Sequence, residues 1–170
     1  KLKIFISQKN LFYKDKMKIK RILIDKANFS IQRYDFKYFN EFIKNKFSNK
    51  KINIRNSNIF FKNDDNETIS IIKIPKSLIF YNEIKSRNQV KIIGETFKIP
   101  FVLNLNKKIE SSQDISELDI NIKKLKLKMI NISENNFDEI IDGLNIFSIS
   151  NSKLITKYKL ENDLIFFESE

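Results

Sequence analysis

Residues 51–76 read KINIRNSNIFFKNDDNETISIIKIPK, and this stretch sets the pattern of the whole chain. Ile52 and Ile54 alternate with Asn53 and Arg55, Asn56-Ser57-Asn58 interrupts the run, and Ile59-Phe60-Phe61 resumes it. Asn63-Asp64-Asp65-Asn66 clusters turn formers, whose short polar side chains bond nearby backbone and tolerate positive φ. Ile69, Ile71, Ile72 and Ile74 form a second apolar run. Two β-branched runs joined by a polar turn predict a β-hairpin. Ile54 and Ile59 differ by an odd step, so a bulge within Asn56-Ser57-Asn58 is needed to keep both on one face.

The same pattern extends towards the N-terminus. Leu2, Ile4 and Ile6 alternate with Lys3 and Phe5, which predicts a first short strand. Residues 8–15 read as a polar connection holding Leu11, Phe12 and Tyr13. Met17, Ile19, Ile22 and Ile24 continue the apolar signal with a phase shift near Lys20-Arg21, which predicts a bulge or strand break there. Ala27, Phe29 and Ile31 then alternate again. From Asp35 the period changes: Phe36, Phe39, Ile43 and Phe47 recur every three or four residues, and Tyr38 and Phe42 widen that face. One α-helix is therefore predicted within residues 34–48, with Asp35 as N-cap and an aromatic stripe packed on a sheet.

Towards the C-terminus, Leu78 to Tyr81 predict a strand, with Pro75 at an edge or starting a new segment. A turn at 82–88 leads to Val90, Ile92 and Ile93, then Gly94. Residues 97–105 predict a strand in which Pro100 marks an edge or bulge, and 106–117 read as a loop. Leu118, Ile120 and Ile122 alternate, as do Leu125, Leu127 and Met129, while Ile130 and Ile132 sit in the opposite phase and predict another bulge. Residues 133–143 read as an acidic loop with a short helical turn at 137–141. Residues 145–158 and 164–167 form a last hairpin around 161–163. The sum is about eight to ten strands and one helix. The absence of βαβ alternation argues against a doubly wound parallel sheet.

The 170 residues fit one domain or one piece of a larger protein. Lys1 opens the chain in place of Met, which predicts a trimmed, processed or partial chain. No unbroken apolar run approaches the roughly 20 residues that a membrane-crossing helix needs, and no signal peptide is recognisable. The formal charge is +11, nearly all from lysine, because arginine occurs only at 21, 33, 55 and 87. Lysine, isoleucine and asparagine share A- and T-rich codons, so coding composition and solvated strand faces account for the excess. A basic chain of interleaved lysine and aromatics, as at Lys37-Tyr38-Phe39 and Lys44 to Phe47, also suits single-stranded nucleic acid. The scarcity of arginine, the residue of bidentate phosphate and base contacts, weighs against nucleic acid as a partner.

Catalytic equipment is missing. Cysteine and histidine are absent and glycine occurs only at 94 and 143. That removes thiolate and imidazole chemistry, disulfides and phosphate-cradling loops. The carboxylates gather in turns, where solvent holds them ionised, whereas acid–base work needs a shielded pair. Asp64, Asp65 and Glu67 lack the glycine and spacing of a calcium loop. Ser148, Ser150 and Ser152 read as one solvated strand face. Three N-x-S/T matches, at Asn28, Asn66 and Asn131, are expected by chance in so asparagine-rich a chain. No catalytic residue, metal ligand or cofactor is expected, and the chain is read as not an enzyme.

What remains is architectural. An antiparallel sheet with one apolar face must cover that face, and one helix faces many strands. Either the sheet closes into an ordinary core, or the face stays open as a groove for an acyl chain or another copy of the sheet. Candidates for lining it are Ile52, Ile54, Ile59 and Phe61, with Ile72 and Ile74 from the partner strand and Leu125 and Leu127 further on.

ILIDKANFSIQ, the helix DFKYFNEFIKNKF, INIRNSNIFFKND and ISIIKI together resemble the repeating segment of AsmA-like proteins, bacterial envelope proteins related to TamB. Ile52, Ile54, Asn56, Ser57, Ile59 and Phe61 match the family's strand pattern. QVKIIGETFKIPFVLNLN and LDINIKKLKLKMINI look like its succession of strands. The resemblance covers about residues 21–167 and rests on hydrophobic patterns rather than invariant residues. It implies a mainly β fold, a curved antiparallel sheet forming an open groove, with residues 1–170 one segment of a longer repeat-built protein. It implies a non-catalytic role in phospholipid transport between membranes or in outer-membrane assembly. The implied partners are phospholipid acyl chains and adjoining repeats of the same protein, with the inner membrane reached through a segment outside this chain. The implied location is the periplasm. The rival readings are a lysine-rich β domain that binds nucleic acid and a purely structural β repeat.

Overall fold

A computed structural model describes residues 1–7, 18–109, 114–135, 140–161 and 164–169, and within these not the side chains at 36, 37, 39, 40 and 109. The connection expected at 8–15 with Met17, the helical turn at 137–139 and the tip of the last turn at 162–163 lie outside the described residues. So do the side chains of Phe36 and Phe39.

The fold is mainly β, as the period-two pattern predicts. Its strands are β1 (Leu2–Ile6), β2 (Ile19–Asp25), β3 (Asn28–Gln32), β4 (Lys51–Lys62), β5 (Thr68–Asn82) and β6 (Arg87–Thr96). They continue with β7 (Ile99–Ile109), β8 (Asp114–Ile122), β9 (Leu127–Asn135), β10 (Ile141–Ile149), β11 (Ser152–Glu161) and β12 (Leu164–Ser169). The helix α1 (Phe36–Lys44) lies between β3 and β4. All twelve strands form one sheet, in the order β1-β2-β4-β5-β6-β7-β8-β9-β10-β11-β12, with β3 beside the second half of β4. Pairing is antiparallel except where β2 and β3 meet β4. The sheet does not close into a barrel.

A single layer exposes more surface than a globule. The chain exposes 12484 Å², whereas a compact protein of its mass, 20.3 kDa, would expose roughly 8,800 Å². Among the described residues the buried apolar side chains are Phe47, Ile74 and Tyr81. Among the described residues no closed core of the kind the sequence left open is built.

A crease runs across the strands where the sequence predicts a bulge. Asn56 takes φ 49° and Lys26, between β2 and β3, takes φ 55°. Opposite Asn56, Pro75 has no N–H to give and drops out of the β4–β5 pairing, and Ile74 and Pro75 together face Gly94 in β6. The break is stitched by side chains. The Ala27 N–H donates to Ser57 Oγ (3.1 Å), Ser57 Oγ donates to the Arg55 carbonyl (2.8 Å), and Asn56 Nδ2 donates to Asp25 Oδ1 (3.1 Å). Ser57 is fully buried. Ser57→Ala should leave the Ala27 N–H without that acceptor and cost about 1–2 kcal/mol. Urea unfolding should show a lower midpoint at unchanged m-value; an unmoved midpoint would mean that the crease does not depend on this hydroxyl.

Other expectations need correction. Pro75 starts no new segment, because β5 passes through it as one long strand. The loop read at 106–117 is mostly the ends of β7 and β8, and the acidic loop read at 133–143 is shortened by β9 and β10. Polar residues mark loops poorly in a single-layer sheet, because one face is solvated anyway. No register shift occurs at Ile130, since β9 pairs regularly with both neighbours and presents Ile130 and Ile132 to the opposite face. Leu125 belongs to a 3₁₀ turn, Lys123–Leu125, closed by Lys126 at φ 49°. Residues 145–158 hold two strands, because Ser150 takes φ 53° in a two-residue turn. Ser148, Ser150 and Ser152 therefore share no strand face. The bulge expected near Lys20-Arg21 is present: Phe5 faces Arg21 and Ile6 faces Ile19, leaving Lys20 as the extra residue.

Candidate functional site

Residues paired directly across neighbouring strands point to the same face. Following the pairings from edge to edge gives one lane: Leu2, Ile24, Ile54, Ser77, Ile92, Leu103, Ile120, Met129, Phe147, Leu154. Nine of these ten side chains are apolar. Beside it runs Ile4, Ile22, Ile52, Ile79, Val90, Leu105, Leu118, turning polar at Asn131, Asn145 and Thr156. With strands about 4.8 Å apart, the first lane is roughly 43 Å long.

The crease keeps both halves of β4 on this face. Ile72 pairs with Thr96, and regular alternation in β6 places Thr96 with Gly94 and Ile92. Ile59 pairs with Ile72, Ser57 with Ile74 and Phe61 with Ser70. Ile59, Phe61, Ile72 and Ile74 therefore join Ile52 and Ile54 despite the odd step between Ile54 and Ile59. Leu127, paired with Ile122, belongs here too. Seven of the eight sequence candidates share one face, and Leu125, half exposed in its turn, does not lie on a strand. Of the seven only Ile74 is buried; the others are partly open to solvent.

Sequence reading missed the breadth of this face. Ile79, Val90, Ile92, Leu103, Leu105, Leu118 and Ile120 belong to it, and the signal was available in the phase of each strand once registers were chained. Two aromatics lie flat on it. The Phe101 ring covers Gly94, leaving no room for a Cβ there. The Tyr158 ring covers Gly143 in the same way, and its hydroxyl accepts from Asn131 Nδ2 at 2.9 Å. Both glycines serve close approach of a ring.

The segment leaving α1 covers one end of the face, over β5 to β7. Helix α1 is shorter than expected, and Phe47 lies beyond it. Phe47 stacks on Phe42 with ring centroids 4.6 Å apart. Its N–H donates to Oδ1 of Asn88 (2.9 Å), and Asn88 Nδ2 donates to the Asn45 carbonyl (2.8 Å). The Tyr81 N–H donates to the Ser48 carbonyl (2.8 Å), and Lys46 Nζ sits 4.1 Å above the Tyr81 ring. Asn88 is 1% exposed. Directly opposite it, Lys107 is 7% exposed and pairs with Asp114 at 2.9 Å. Asp35 does not cap α1: its carboxylate accepts from the Gln32 N–H upstream (2.8 Å).

The reverse face is mixed: the lane behind the first runs Lys3, Leu23, Asn53, Leu78, Lys91, Asn104, Asp119, Ile130, Ile146, Ile155, with polar and apolar residues interspersed before its isoleucines. A hollow of about 470 Å³ near its end is lined by Ile69, Ile71, Lys73, Glu95 and Phe97, with Lys73 and Glu95 bridged at 3.0 Å. The turn carrying Asp64 and Asp65 is tied internally, Asn63 Oδ1 accepting from the Glu67 N–H at 2.8 Å. Among the described residues no three His, Cys, Asp or Glu side chains gather as a metal site, and no helix is long and apolar enough to cross a membrane.

The fold and its exposed apolar face define the class: a mainly β protein built as one open sheet. No family model, curated protein or solved structure matches the chain.

Proposed function

We propose that the chain is a non-catalytic, lipid-handling segment of an AsmA-like envelope protein, whose apolar sheet face holds phospholipid acyl chains. The observation that carries this reading is the lane from Leu2 to Leu154, apolar at every position but Ser77 and, among the described residues, without a covering layer along most of its length. Contiguous apolar surface of this extent is rare on a monomer without a ligand or partner. One acyl chain spans about half of a 30 Å hydrocarbon core. The 43 Å lane therefore accommodates about two to three chains end to end. The reverse face is less apolar, with Lys3, Asn53, Lys91 and Asn104 set among leucines and isoleucines. In this reading the parent protein works in the periplasm, tethered to the inner membrane outside this chain, and joins adjoining repeats into a longer path.

Purified protein, extracted with organic solvent and analysed by mass spectrometry, should release phospholipid in stoichiometric amount. Lipid-free protein that binds single-stranded nucleic acid, with affinity falling steeply as salt rises, would replace this reading with the nucleic-acid one. Protein that carries neither and takes up no phospholipid from vesicles would leave a structural repeat.

A further inference from the structure

We propose that a polar corner of the apolar face, built by Asn131, Asn145, Thr156 and Tyr158 on β9 to β11, seats the head of a phospholipid that carries no net charge, while the adjoining lane takes its acyl chain. This head site presupposes acyl chains on the apolar face. The corner lies where the second lane changes character: Ile79, Val90, Leu105 and Leu118 give way to Asn131, Asn145 and Thr156. From Leu118 back to Ile79 the lane crosses three strand spacings, about 14 Å, close to the length of one acyl chain. Tyr158 joins the corner because Gly143 has no Cβ, so the ring lies flat and its hydroxyl reaches Asn131. Phe101 lies on Gly94 in the same way without a hydroxyl to offer. Asn131 Nδ2 donates to Asn145 Oδ1 (2.8 Å) and to the Tyr158 hydroxyl (2.9 Å), which spends both of its N–H groups. The Tyr158 O–H, the Asn145 amide N–H groups and the Thr156 hydroxyl are left as donors. All four side chains are partly exposed, so a ligand can reach them. Such donors suit the phosphate and ester oxygens of a lipid head. The charge of that head follows from how the sheet sorts its ions. Among the described strand residues from β5 to β11, Lys107 and Asp114 are the charged side chains on this face; the others alternate onto the reverse face. Lys107 is buried and spent on Asp114 at 2.9 Å. An anionic head would shed water here without gaining a counter-charge, whereas a zwitterionic head brings its own.

The test incubates the lipid-stripped full chain with vesicles of equal parts phosphatidylethanolamine and phosphatidylglycerol bearing the same acyl chains. Salt is high enough to screen the surface lysines, and retained lipid is extracted and quantified by mass spectrometry. The wild type should retain the zwitterionic lipid about tenfold over the anionic one, against the pull of its +11 net charge. Thr156→Lys places a cation in the corner and should invert that preference. Ser152→Lys places the same charge on the same strand and face, on the far side of Leu154, and should leave the preference as it is. Tyr158→Phe keeps the ring on Gly143 and removes only the hydroxyl. It should lower phosphatidylethanolamine retention about fivefold and leave uptake of hexadecane, which has no head, unchanged. Ile54→Asp should lower both. A wild type that retains neither phospholipid would overturn the acyl-chain reading and the head site with it. Lipid lost with Ile54→Asp but kept by Tyr158→Phe would overturn the head site alone. So would a wild type that prefers phosphatidylglycerol, or a Thr156→Lys protein that behaves like Ser152→Lys. A Tyr158→Phe protein with a lower melting temperature but unchanged retention per folded molecule would make the hydroxyl structural and overturn its place in the head site.

Discussion

Ile54→Asp is expected to leave the protein folded, to lower its melting temperature by about 3–6 °C, and to weaken phospholipid retention roughly tenfold. Ile54 sits within the apolar lane, between Ile24 and Ser77, and is only partly buried. In a closed core the same change would strand a carboxylate without water and remove packing, at a cost of several kcal/mol. Here water reaches the site when no ligand covers it, so the carboxylate stays hydrated and the loss is about 1–2 kcal/mol of side-chain burial. An acyl chain cannot lie over a hydrated charge without stripping its water, so binding bears the larger penalty. Asn53→Asp is the control: it adds the same charge one residue away on the reverse face, and should leave lipid retention unchanged. An Ile54→Asp protein that fails to fold, or that keeps its lipid, would remove Ile54 from an open acyl-chain surface.

The face containing Ile54 was legible because side-chain direction in a strand depends only on phase. Even the break at Asn56 announced itself, since Ile54 and Ile59 share a face only if one residue leaves the alternation. What stayed illegible depended on backbone choices that residue types do not advertise. Lys26 and Lys126 adopt positive φ, although lysine is no turn signal. Lys126 thereby ends the turn that removes Leu125 from the strand. Pro75 looked like a boundary, but the crease absorbs its missing N–H, so β5 runs on. The polar stretch 106–117 looked like a loop because Asn106, Lys107 and Lys108 resemble solvent-facing residues. Lys107 is buried all the same, because Asp114 lies across the hairpin from it. The helix was found by its period and overextended by Phe47, whose spacing fits the stripe. It stops at Lys44 because the next residues are held by tertiary bonds to Asn88 and Tyr81 that no local pattern encodes.

Those bonds make Asn88 the side chain whose loss should cost most stability. Its amide joins two backbone groups that regular structure leaves unpaired, accepting from the Phe47 N–H and donating to the Asn45 carbonyl. At 1% exposure no solvent replaces either bond while the segment stays docked. Asn88→Ala therefore leaves a buried donor and a buried acceptor unsatisfied, at about 1–3 kcal/mol each. The total, near 3–4 kcal/mol, is relieved once water reaches both groups, so the segment is expected to detach. Phe47 would then leave its stack on Phe42, and Tyr81 would lose the cover of the residues above it. The expected readout is regional. Amide exchange should accelerate across residues 36–48 and at Tyr81, while the β8 to β11 amides keep their protection. Asn88→Asp should recover part of the loss, because its carboxylate still accepts from the Phe47 N–H and lies opposite Lys107. Uniform acceleration throughout the sheet would instead make Asn88 a residue of general stability, and unchanged exchange at 36–48 would show that the segment is held by other contacts.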